Sequence, residues 1–536
     1  MAQFQIADLF EIVVDTIPDN EAVYDEKHRL SYRQLDQRAN KLAHYFQSLG
    51  LGRGDHIGLY IYNCAEYMEA MLAAAKISAT TININYRYVD EELLYLLEDA
   101  KIKVLVFQRD LAPIVERVLP RAPHVKHVIY VEDESAHDLS GFSSIAEYES
   151  AIAPMSDARD FTGRSEDDRF IVYTGGTTGM PKGVEWRHGD LFFAGLQGGR
   201  PQGDPIQTPE ELAEVVREAG FAANFHTAPP FIHGTSQFAA IIALFAGGKV
   251  TIARNRSFDP AQTSRLITEE QINIVVLVGD AMSMPLIEEA RKNGDKYDYT
   301  SMVVITSQGA ILSRSTEKAF NELFPHTMIL NNFGASETGH QGESVGSFDE
   351  NGRLQFYMKD STKVLDDNFQ EVVPGSGQVG KLARSGNIPV GYYNDPVKTA
   401  STFFEIDGQR WVIPGDYATV DEDGLVTLLG RGSICINTGG EKVYPEEVEE
   451  ALKDNPAVRD VLVVGVPDDR WGERVEAVVQ LQEGSNATAE ELSTHLRTLV
   501  AGYKVPKTFH FRDTISRQPS GKPDYKWAKD VAMGTV

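Results

Sequence analysis

The sequence predicts an α/β protein in which a large N-terminal domain precedes a small C-terminal α+β domain. Short apolar segments with β propensity alternate with helix-like segments from the start of the chain. This order of elements is typical of mostly parallel sheets covered by helices. The length of 536 residues also exceeds what one hydrophobic core usually serves, so at least two domains are expected.

The alternation is clearest in the first quarter of the chain. The segment 56–63 (HIGLYIYN) predicts a strand, and 64–78 (CAEYMEAMLAAAKIS) predicts a helix because Ala, Met and Leu recur at helical spacing. Residues 91–100 predict a compact amphipathic helix, whereas 103–107 and 127–131 predict buried strands. The N-terminal domain is therefore expected to consist of layered α/β subdomains.

Gly and Pro mark two irregular segments. Residues 198–220 begin with Gly and Pro and end in a charged helix, which predicts a surface excursion between structured segments. Glycines cluster again in LLGRGSICINTGG, after which the chain restarts with the helix-like segment 445–455 (PEEVEEALKDN) and a strand. The predicted domains are therefore residues 1–430 and 431–536.

Composition excludes several classes of function. The formal net charge of −27 and the pI near 4.9 disfavour binding to nucleic acid or anionic lipid. The longest apolar stretch, near 238–246, is far shorter than the roughly 18 residues of a membrane span. Only Cys64 and Cys435 occur, and the N-terminus lacks a basic leader, so we expect a cytoplasmic protein without a disulfide framework or a thiolate zinc site.

The most informative segment is 170–184, FIVYTGGTTGMPKGV, in which an apolar strand leads into a loop rich in Gly and Thr. Glycines let backbone N–H groups approach a phosphate, threonine hydroxyls donate hydrogen bonds, and a lysine supplies positive charge. It is not a Walker A loop, because Pro181 precedes Lys182 and no Ser or Thr follows. A phosphate loop is predicted, with a surface hairpin as the alternative. The candidate residues are Thr174, Gly175, Gly176, Thr177, Thr178 and Lys182.

This segment resembles the phosphate loop of adenylate-forming enzymes, the superfamily of acyl-CoA synthetases, peptide-synthetase adenylation domains and firefly-type luciferases. The resemblance continues in order along almost the entire chain. It implies an enzyme that uses ATP to convert a carboxylic acid into an acyl-adenylate. It further implies transfer of the acyl group to coenzyme A, with release of AMP and pyrophosphate. ATP, Mg²⁺ and coenzyme A are thus the implied cofactors.

The segment 331–339, NNFGASETG, resembles the second signature of the superfamily. The resemblance implies that Phe333 stacks on adenine, Ser336 contacts phosphate and Glu337 holds Mg²⁺. A hard cation on nucleotide phosphates usually takes only one or two protein carboxylates, which agrees. SQGAIL, from Ser307, corresponds to a strand end beside adenine and the acyl pocket. The nucleotide-contact candidates are Ser307, Gln308, Gly309, Ala310, Asn332, Phe333, Gly334 and Ser336.

Two later segments also resemble family signatures. The resemblance of WVIPGDYA implies that Asp416 binds the ribose hydroxyls and that Arg431 makes the complementary contact. A carboxylate that accepts hydrogen bonds from two hydroxyls forms charge-assisted hydrogen bonds, which are stronger than neutral ones. RQPSGKPDYK implies that Lys522 is catalytic, because an ammonium stabilises the charge that builds when a carboxylate attacks the α-phosphate. A solvated basic cluster with Lys526 and Lys529 is the alternative.

The resemblance implies a mobile C-terminal domain. In the family this domain rotates after adenylation, withdraws its lysine and presents a glycine loop to the pantetheine tunnel. Gly439, Gly440 and Glu441 are the corresponding candidates here, and Ser433 stands at the hinge, where relatives often have an acidic residue or lysine. A homodimer is common among relatives.

The acyl substrate is narrowed by APPFIHGTSQ, which resembles the border of the acyl pocket. Amino-acid-activating relatives carry an aspartate there, and none lies between Ala228 and Gln237. His233 would face the carboxylate or the α-phosphate, and Asp280 would either contact a polar substrate group or cap the next helix. The sequence is similar to a subgroup acting on fatty acids and steroid side-chain acids, so a fatty or bulky (steroid side-chain or aromatic) acid is expected. The alternatives are a carrier-protein adenylating enzyme, a luciferase-like monooxygenase and a degenerate nucleotide-binding protein.

Overall fold

The computed structural model describes residues 3–176, 179–200, 203–220, 222–310, 312–344, 346, 348, 353–438, 441–468, 471–500, 502–518 and 521–536. Within these residues the protein is mixed α/β, with strands in four sheets, so the predicted fold class is confirmed. The described α-helices are Ile6–Thr16, Tyr32–Ser48, Ala65–Lys76, Asp90–Asp99, Ala112–Val118, Tyr148–Ile152, His188–Ala194, Glu211–Glu218, Gly234–Phe245, Pro260–Glu270, Gly279–Asn293, Arg314–Leu323, Pro396–Thr402, Pro445–Lys453, Ala489–Leu496 and Tyr525–Ala532.

The largest sheet runs through the N-terminal part and places the site. One half of it pairs in parallel from Glu21–Tyr24 to Met328–Ala335, so the carboxyl ends of these strands meet at one edge. The other half is antiparallel. In spatial order its strands are Arg29–Ser31, Glu21–Tyr24, Lys249–Thr251, Asn224–Thr227, Ile274–Leu277, Val304–Ser307, Met328–Ala335, Gly339–Ser344, Gln355–Met358, Val426–Arg431, Asp416–Val420, Gly380–Ser385, Gln409–Val412 and Phe403–Ile406, and Thr362–Leu365 pairs with Gly380–Ser385.

A second sheet confirms the alternation predicted for the first quarter of the chain. Its strands pair in parallel, and helix Ala65–Lys76 lies where the apolar helical spacing predicted it. Every residue of that helix is buried, including Lys76, whose Nζ pairs with Glu11 and Asp36 at 2.6 and 2.8 Å. In spatial order the strands are Thr80–Asn83, His56–Tyr60, Ile102–Gln108, His127–Val131 and Ala146–Glu147.

A small antiparallel sheet carries the predicted phosphate loop. Arg169–Gly176 pairs with Gly179–Arg187, which pairs in turn with Gly391–Tyr392. The first strand begins with the apolar residues that the sequence pattern marked as a strand, and Phe170, Ile171, Val172 and Tyr173 are buried. The strand that leads into the predicted loop is therefore buried along its apolar part.

The C-terminal part has its own sheet and its own core. Helices Pro445–Lys453 and Ala489–Leu496 pack on one face of this sheet and Tyr525–Ala532 on the other. The predicted boundary after residue 430 falls at the end of a strand of the large sheet, and the next strand already belongs to the small one. The strands, in spatial order, are Glu441–Val443, Ile436–Thr438, Gly472–Leu481 and Val458–Asp468, with Thr508–Phe511 beside Gly472–Leu481.

The excursion at 198–220 is anchored rather than fully exposed. Its helix, Glu211–Glu218, buries Leu212 and Val216 against the N-terminal core and points its charges outward. Across the described ranges, none of the helices is both long and apolar enough to cross a membrane.

Candidate active site

A cavity of about 750 Å³ opens at the edge where the parallel strands of the large sheet end. Its size falls within the range of small-molecule sites, which are typically about 300–1,000 Å³. Residues from the large sheet, from the phosphate-loop strand and from the C-terminal part all line it. The predicted site residues that line it are Thr174, His233, Gln308, Gly309, Asn332, Phe333, Gly334, Ser336 and Lys522.

The floor of the cavity is a set of three rows across adjacent parallel strands. Side chains alternate between the faces of a strand, so every second residue points into the cavity. The register of the three strands aligns the first two rows, and the third row occupies the next alternate positions. We name them the inner row (Ile274, Val304, Met328), the middle row (Val276, Thr306, Leu330) and the outer row (Val278, Gln308, Asn332).

The cavity is apolar at depth and polar at its outer end. Helix Gly234–Phe245 covers it with Phe238, Ala239 and Ile242. With about 3.3 Å per residue, the inner row lies about 13 Å from the outer row. Such a channel suits an extended or ring-bearing apolar group whose polar head stays at the outer end.

Lys522 lies at the outer end, and its catalytic role stays a prediction. It lines the cavity, and its Cε lies 3.9 Å from the position a Cβ on Gly309 would take. Gly309 has φ +84°, a left-handed conformation that favours glycine, so the backbone turns at the strand end beside the lysine. The structure thus brings a residue of the C-terminal part to the carboxyl ends of the sheet strands.

His233 is partly buried in the same wall, with its Nε2 shielded from solvent, and it is neutral. Burial, with the charges of Lys522 and Arg87, lowers the pKa of His233 to about 3. Its Nε2 has no hydrogen-bond partner among the described residues. A neutral imidazole with an unused nitrogen at the outer end can receive a polar substrate atom.

Asn83 holds the His233 segment against the phosphate-loop strand. Its Nδ2 donates to the Tyr173 and Ile232 carbonyls at 2.8 and 2.6 Å, and its Oδ1 accepts from Tyr173 N at 2.8 Å. Asn83 was not among the residues predicted from sequence. The available signal was an asparagine inside an apolar strand, because a buried amide needs partners.

A polar relay crosses the floor of the cavity. Asn332 Nδ2 donates to Thr306 Oγ1 at 2.6 Å, and Asn332 Oδ1 lies 3.1 Å from His340 Nε2. Because the Asn332 amide nitrogen is used by Thr306, its oxygen accepts from His340, which therefore carries its proton on Nε2. Burial, with Lys359 and Arg384, lowers the pKa of His340 to about 3. The adenine-side role of Asn332 stays a prediction.

On the phosphate side, Lys182 extends from strand Gly179–Arg187 and pairs with Asp395 Oδ2 at 2.7 Å. The hydrogen bond to Asp395 raises the pKa of Lys182. Gly175 and Gly176 end the preceding strand. Thr177 and Thr178 lie outside the described residues.

The second signature forms a strand end and turn beside the cavity. Glu337 Oε1 accepts from the Tyr392 hydroxyl at 2.9 Å, and the Ser336 carbonyl accepts from Trp186 Nε1 at 2.9 Å. The Phe333 ring lines the cavity and packs against the Phe356 ring, with 5.6 Å between the two ring centroids. These contacts fix the turn that carries the predicted Mg²⁺ carboxylate.

The remaining predicted residues lie in several places. Asp416 is buried, and its backbone partner in the adjacent strand is Arg431, while their contact with the ribose stays a prediction. Ser307 points away from the cavity and accepts from Gly279 N at 2.9 Å. Ala310 packs against the core on that side. Gly439 and Gly440 are outside the described residues, and Glu441 begins strand Glu441–Val443.

Asp280 has neither of the two roles expected for it. It is not an N-cap of its own helix, and it pairs instead with Lys453 of the C-terminal part at 2.9 Å. Its other oxygen accepts from Ser313 N at 3.0 Å. No local sequence pattern predicts this pair, whose members are 173 residues apart.

Comparisons with known proteins agree with this geometry. Residues 10–393 match the family model of the AMP-binding enzymes, and residues 447–522 match the model of the AMP-binding enzyme C-terminal domain. The chain is 45% identical over 533 residues to a 3-oxocholest-4-en-26-oate–CoA ligase of Rhodococcus rhodochrous, with 98% of this chain and 95% of that protein covered. It is also 45% identical over 537 residues to a medium/long-chain-fatty-acid–CoA/3-oxocholest-4-en-26-oate–CoA ligase of Mycolicibacterium smegmatis, with 98% and 96% covered.

Solved structures show the same architecture. The anthranilate CoA ligase AuaEII, in complex with anthranoyl-AMP, superposes with a TM-score of 0.85 at 20% identity and covers 100% of this chain and 98% of its own. This likeness concerns the fold alone. ATP-bound MatB from Rhodopseudomonas palustris gives a TM-score of 0.80 at 25% identity, with 98% of both chains covered.

The fold and the site therefore define an AMP-binding enzyme, and the chain belongs to that family. Within the family it is an AMP-forming acyl-CoA synthetase, an acid–thiol ligase that uses ATP and coenzyme A as substrates with a small-molecule acid. The function predicted from the sequence is confirmed at this level.

Proposed function

We propose that this acyl-CoA synthetase activates fatty acids and steroid side-chain carboxylic acids. The observation that carries the proposal is one cavity with an apolar inner row, a middle row in which Thr306 is the one polar member, and Lys522 at the outer end. The two curated relatives named above act on such acids, and their similarity extends over the whole chain. Burial of a long hydrocarbon is favourable by about 0.8 kcal/mol per methylene, so the depth of the cavity contributes directly to affinity.

In the adenylation step, the acid lies with its hydrocarbon along the rows and its carboxylate at the outer end. The carboxylate oxygen attacks the α-phosphorus of ATP, and the bond from that phosphorus to the bridging oxygen of pyrophosphate breaks. The Lys522 ammonium stabilises the negative charge on the transferring oxygens. His233 is neutral, so it adds no second positive charge beside the attacking carboxylate. Because the cavity holds the acid in one orientation, the carboxylate is already positioned for attack, which lowers the entropic part of the barrier.

Glu337 is proposed as the carboxylate that holds Mg²⁺. Tyr392 fixes one of its oxygens at 2.9 Å, which orients the carboxylate, and a magnesium ion on nucleotide phosphates usually needs only one or two such groups. When bound, the ion would neutralise phosphate charge. Asp416 is proposed to bind the ribose hydroxyls and Lys182 the departing phosphates.

In the second step, the thiol of coenzyme A attacks the acyl carbon of the mixed anhydride and AMP leaves. This step needs room at the outer end, where Lys522 now stands. The proposed movement of residues 431–536, with Gly439, Gly440 and Glu441 at the pantetheine tunnel, provides it.

The test is AMP release from ATP and Mg²⁺, with and without coenzyme A, across palmitate, 3-oxocholest-4-en-26-oate, benzoate and an amino acid. We expect AMP and acyl-CoA to appear together for palmitate or the steroid acid and not for the amino acid. Turnover confined to benzoate or to amino acids would overturn the proposed substrate class.

A further inference from the structure

Asp280 is the centre of a buried charged contact between the two parts of the chain. Lys453 Nζ, at the end of helix Pro445–Lys453, lies 2.9 Å from Asp280 Oδ2. Asp280 Oδ1 accepts from the Ser313 amide at 3.0 Å and from its hydroxyl at 3.1 Å. The side chains of Asp280 and Lys453 are only 9% and 14% exposed. Unlike an exposed ion pair, this one is shielded from water and both carboxylate oxygens are used.

The contact continues toward the catalytic lysine. Lys453 Nζ also lies 3.8 Å from Asp460 Oδ1. Arg517 donates two hydrogen bonds to the Asp460 carboxylate, from Nη2 to Oδ1 at 2.6 Å and from Nε to Oδ2 at 2.9 Å. It lies five residues before Lys522. Charges of alternating sign thus connect Asp280 to the segment that carries Lys522.

The same segment also packs on the helix start that holds Asp280. Gly521 has φ +79°, and a Cβ built on it would lie 3.4 Å from Ala281 Cβ and from Val278 Cγ1. Val278 is in the outer row. The segment before Lys522 therefore approaches the cavity wall at the point where Asp280 is anchored.

Both partners are charged at neutral pH. Burial opposes the charge of Lys453, but Asp280 and Asp460 outweigh it, so the pKa of Lys453 is raised. Burial also opposes the charge of Asp280, but Lys453 and the Ser313 amide lower its pKa. Losing either partner would leave the other as an uncompensated buried charge.

We propose that Asp280 is a positioning residue that holds the C-terminal part in the arrangement that brings Lys522 to the cavity. The inference rests on the two-step reaction proposed above. Because acyl transfer requires Lys522 to leave, the contact serves the adenylation half alone. Its removal should slow adenylation and spare acyl transfer to coenzyme A.

The principal variant is Asp280→Asn, which keeps the shape and the acceptor for Ser313 but removes the charge that pairs with Lys453. Pyrophosphate release with ATP and palmitate or 3-oxocholest-4-en-26-oate measures adenylation, and synthetic acyl-adenylate with coenzyme A measures transfer. We expect adenylation to fall by about tenfold and transfer to change by less than about twofold.

Lys453→Met tests the same contact from the other side. The double variant Asp280→Asn/Lys453→Met should be no slower in adenylation than the slower single variant, because the two changes break one contact. Glu288→Gln is the matched control. It loosens the peripheral pair with Arg459, at 2.8 Å and partly exposed, and should cost less than about twofold.

Equal losses in both half-reactions, with an unchanged melting temperature, would overturn the inference in favour of a general structural role. Unchanged adenylation in both single variants would overturn it as well. A wild-type protein that releases no AMP with any acid would instead overturn the proposed function, so the two failures are distinguishable.

Discussion

The two walls of the cavity are held by different forces. The N-terminal wall consists of parallel strands whose apolar side chains continue into buried core, and its position is fixed by backbone hydrogen bonds. The C-terminal wall brings Lys522 and is held through charged contacts such as Asp280–Lys453. Apolar packing is lost only when the core opens, whereas ion pairs can separate and be rehydrated. This difference supports the proposals of a permanent acyl channel and of a catalytic lysine that can be withdrawn.

The largest effect is expected at the removable wall. Lys522→Ala should lower adenylation by about a thousandfold, because the ammonium that stabilises the transferring phosphoryl group is lost. Transfer from synthetic acyl-adenylate to coenzyme A should remain largely intact, as measured by acyl-CoA formation. Lys526→Ala, four residues away on an exposed position, is the control and should retain both activities. Equal loss of both half-reactions in Lys522→Ala would contradict the comparison.

The permanent wall is tested by filling the channel. Ile242→Trp replaces an aliphatic side chain with a bulky indole ring over the inner and middle rows, which narrows the channel. We therefore expect kcat/KM for palmitate or the steroid acid to fall by about a hundredfold. Short-chain acids, which need only the outer end, should lose far less. Ile242→Leu conserves volume and should leave the chain-length preference unchanged. A uniform loss across all acids in Ile242→Trp would show that Ile242 does not line the acyl channel.

A third test concerns the turn between the walls. Glu337→Gln preserves the acceptor for Tyr392 but removes the charge proposed for Mg²⁺, so about tenfold more Mg²⁺ should be needed for half-maximal AMP release. The Mg²⁺ dependence of the melting-temperature shift caused by ATP gives a readout independent of turnover. Tyr392→Phe, which only loosens the orientation of Glu337, should have a smaller effect. An unchanged Mg²⁺ requirement in Glu337→Gln would reassign the metal site.

The last test concerns stability of the C-terminal part rather than rate. Burial outweighs the opposing charges of Lys453 and Arg517 and raises the pKa of Glu449 from 4.5 to about 7. Between these values the folded protein holds a proton that the unfolded chain has released, so the free energy of unfolding falls as pH rises through this window. The contribution is at most about 3 kcal/mol. Melting temperatures from pH 5 to 8 should fall less steeply in Glu449→Gln, and identical slopes would contradict the assignment.

The local elements were predictable from sequence because each depends on a contiguous pattern, and some of the cavity-lining residues were predictable because their segments resemble family signatures. The apolar run before the phosphate loop fixes its strand, and Gln308, Gly309 and Lys522 sit in recognisable segments that the fold brings together. Residue spacing alone does not show which face of a strand points into the cavity. Ser307 and Gln308 are neighbours, yet only Gln308 lines it.

The polar relay and the contact at Asp280 needed the three-dimensional structure. Thr306 and Asn332 meet because two parallel strands share one register, which no local pattern encodes. His340 directly follows the second signature, and that position was its only sequence signal. Asp280 finds its partner 173 residues later, across the junction between the two parts of the chain. Contacts of this kind depend on how whole domains pack.

Met328 gives the channel a further property. It belongs to the inner row, yet it is 47% exposed, so the deep end of the channel lies close to the protein surface. A channel of this shape has no rigid stop. The enzyme would then grip the first part of a substrate tightly and let a longer tail continue toward water, where additional methylenes add nothing to binding. Affinity would therefore rise steeply with chain length among short acids and change little with chain length among long ones.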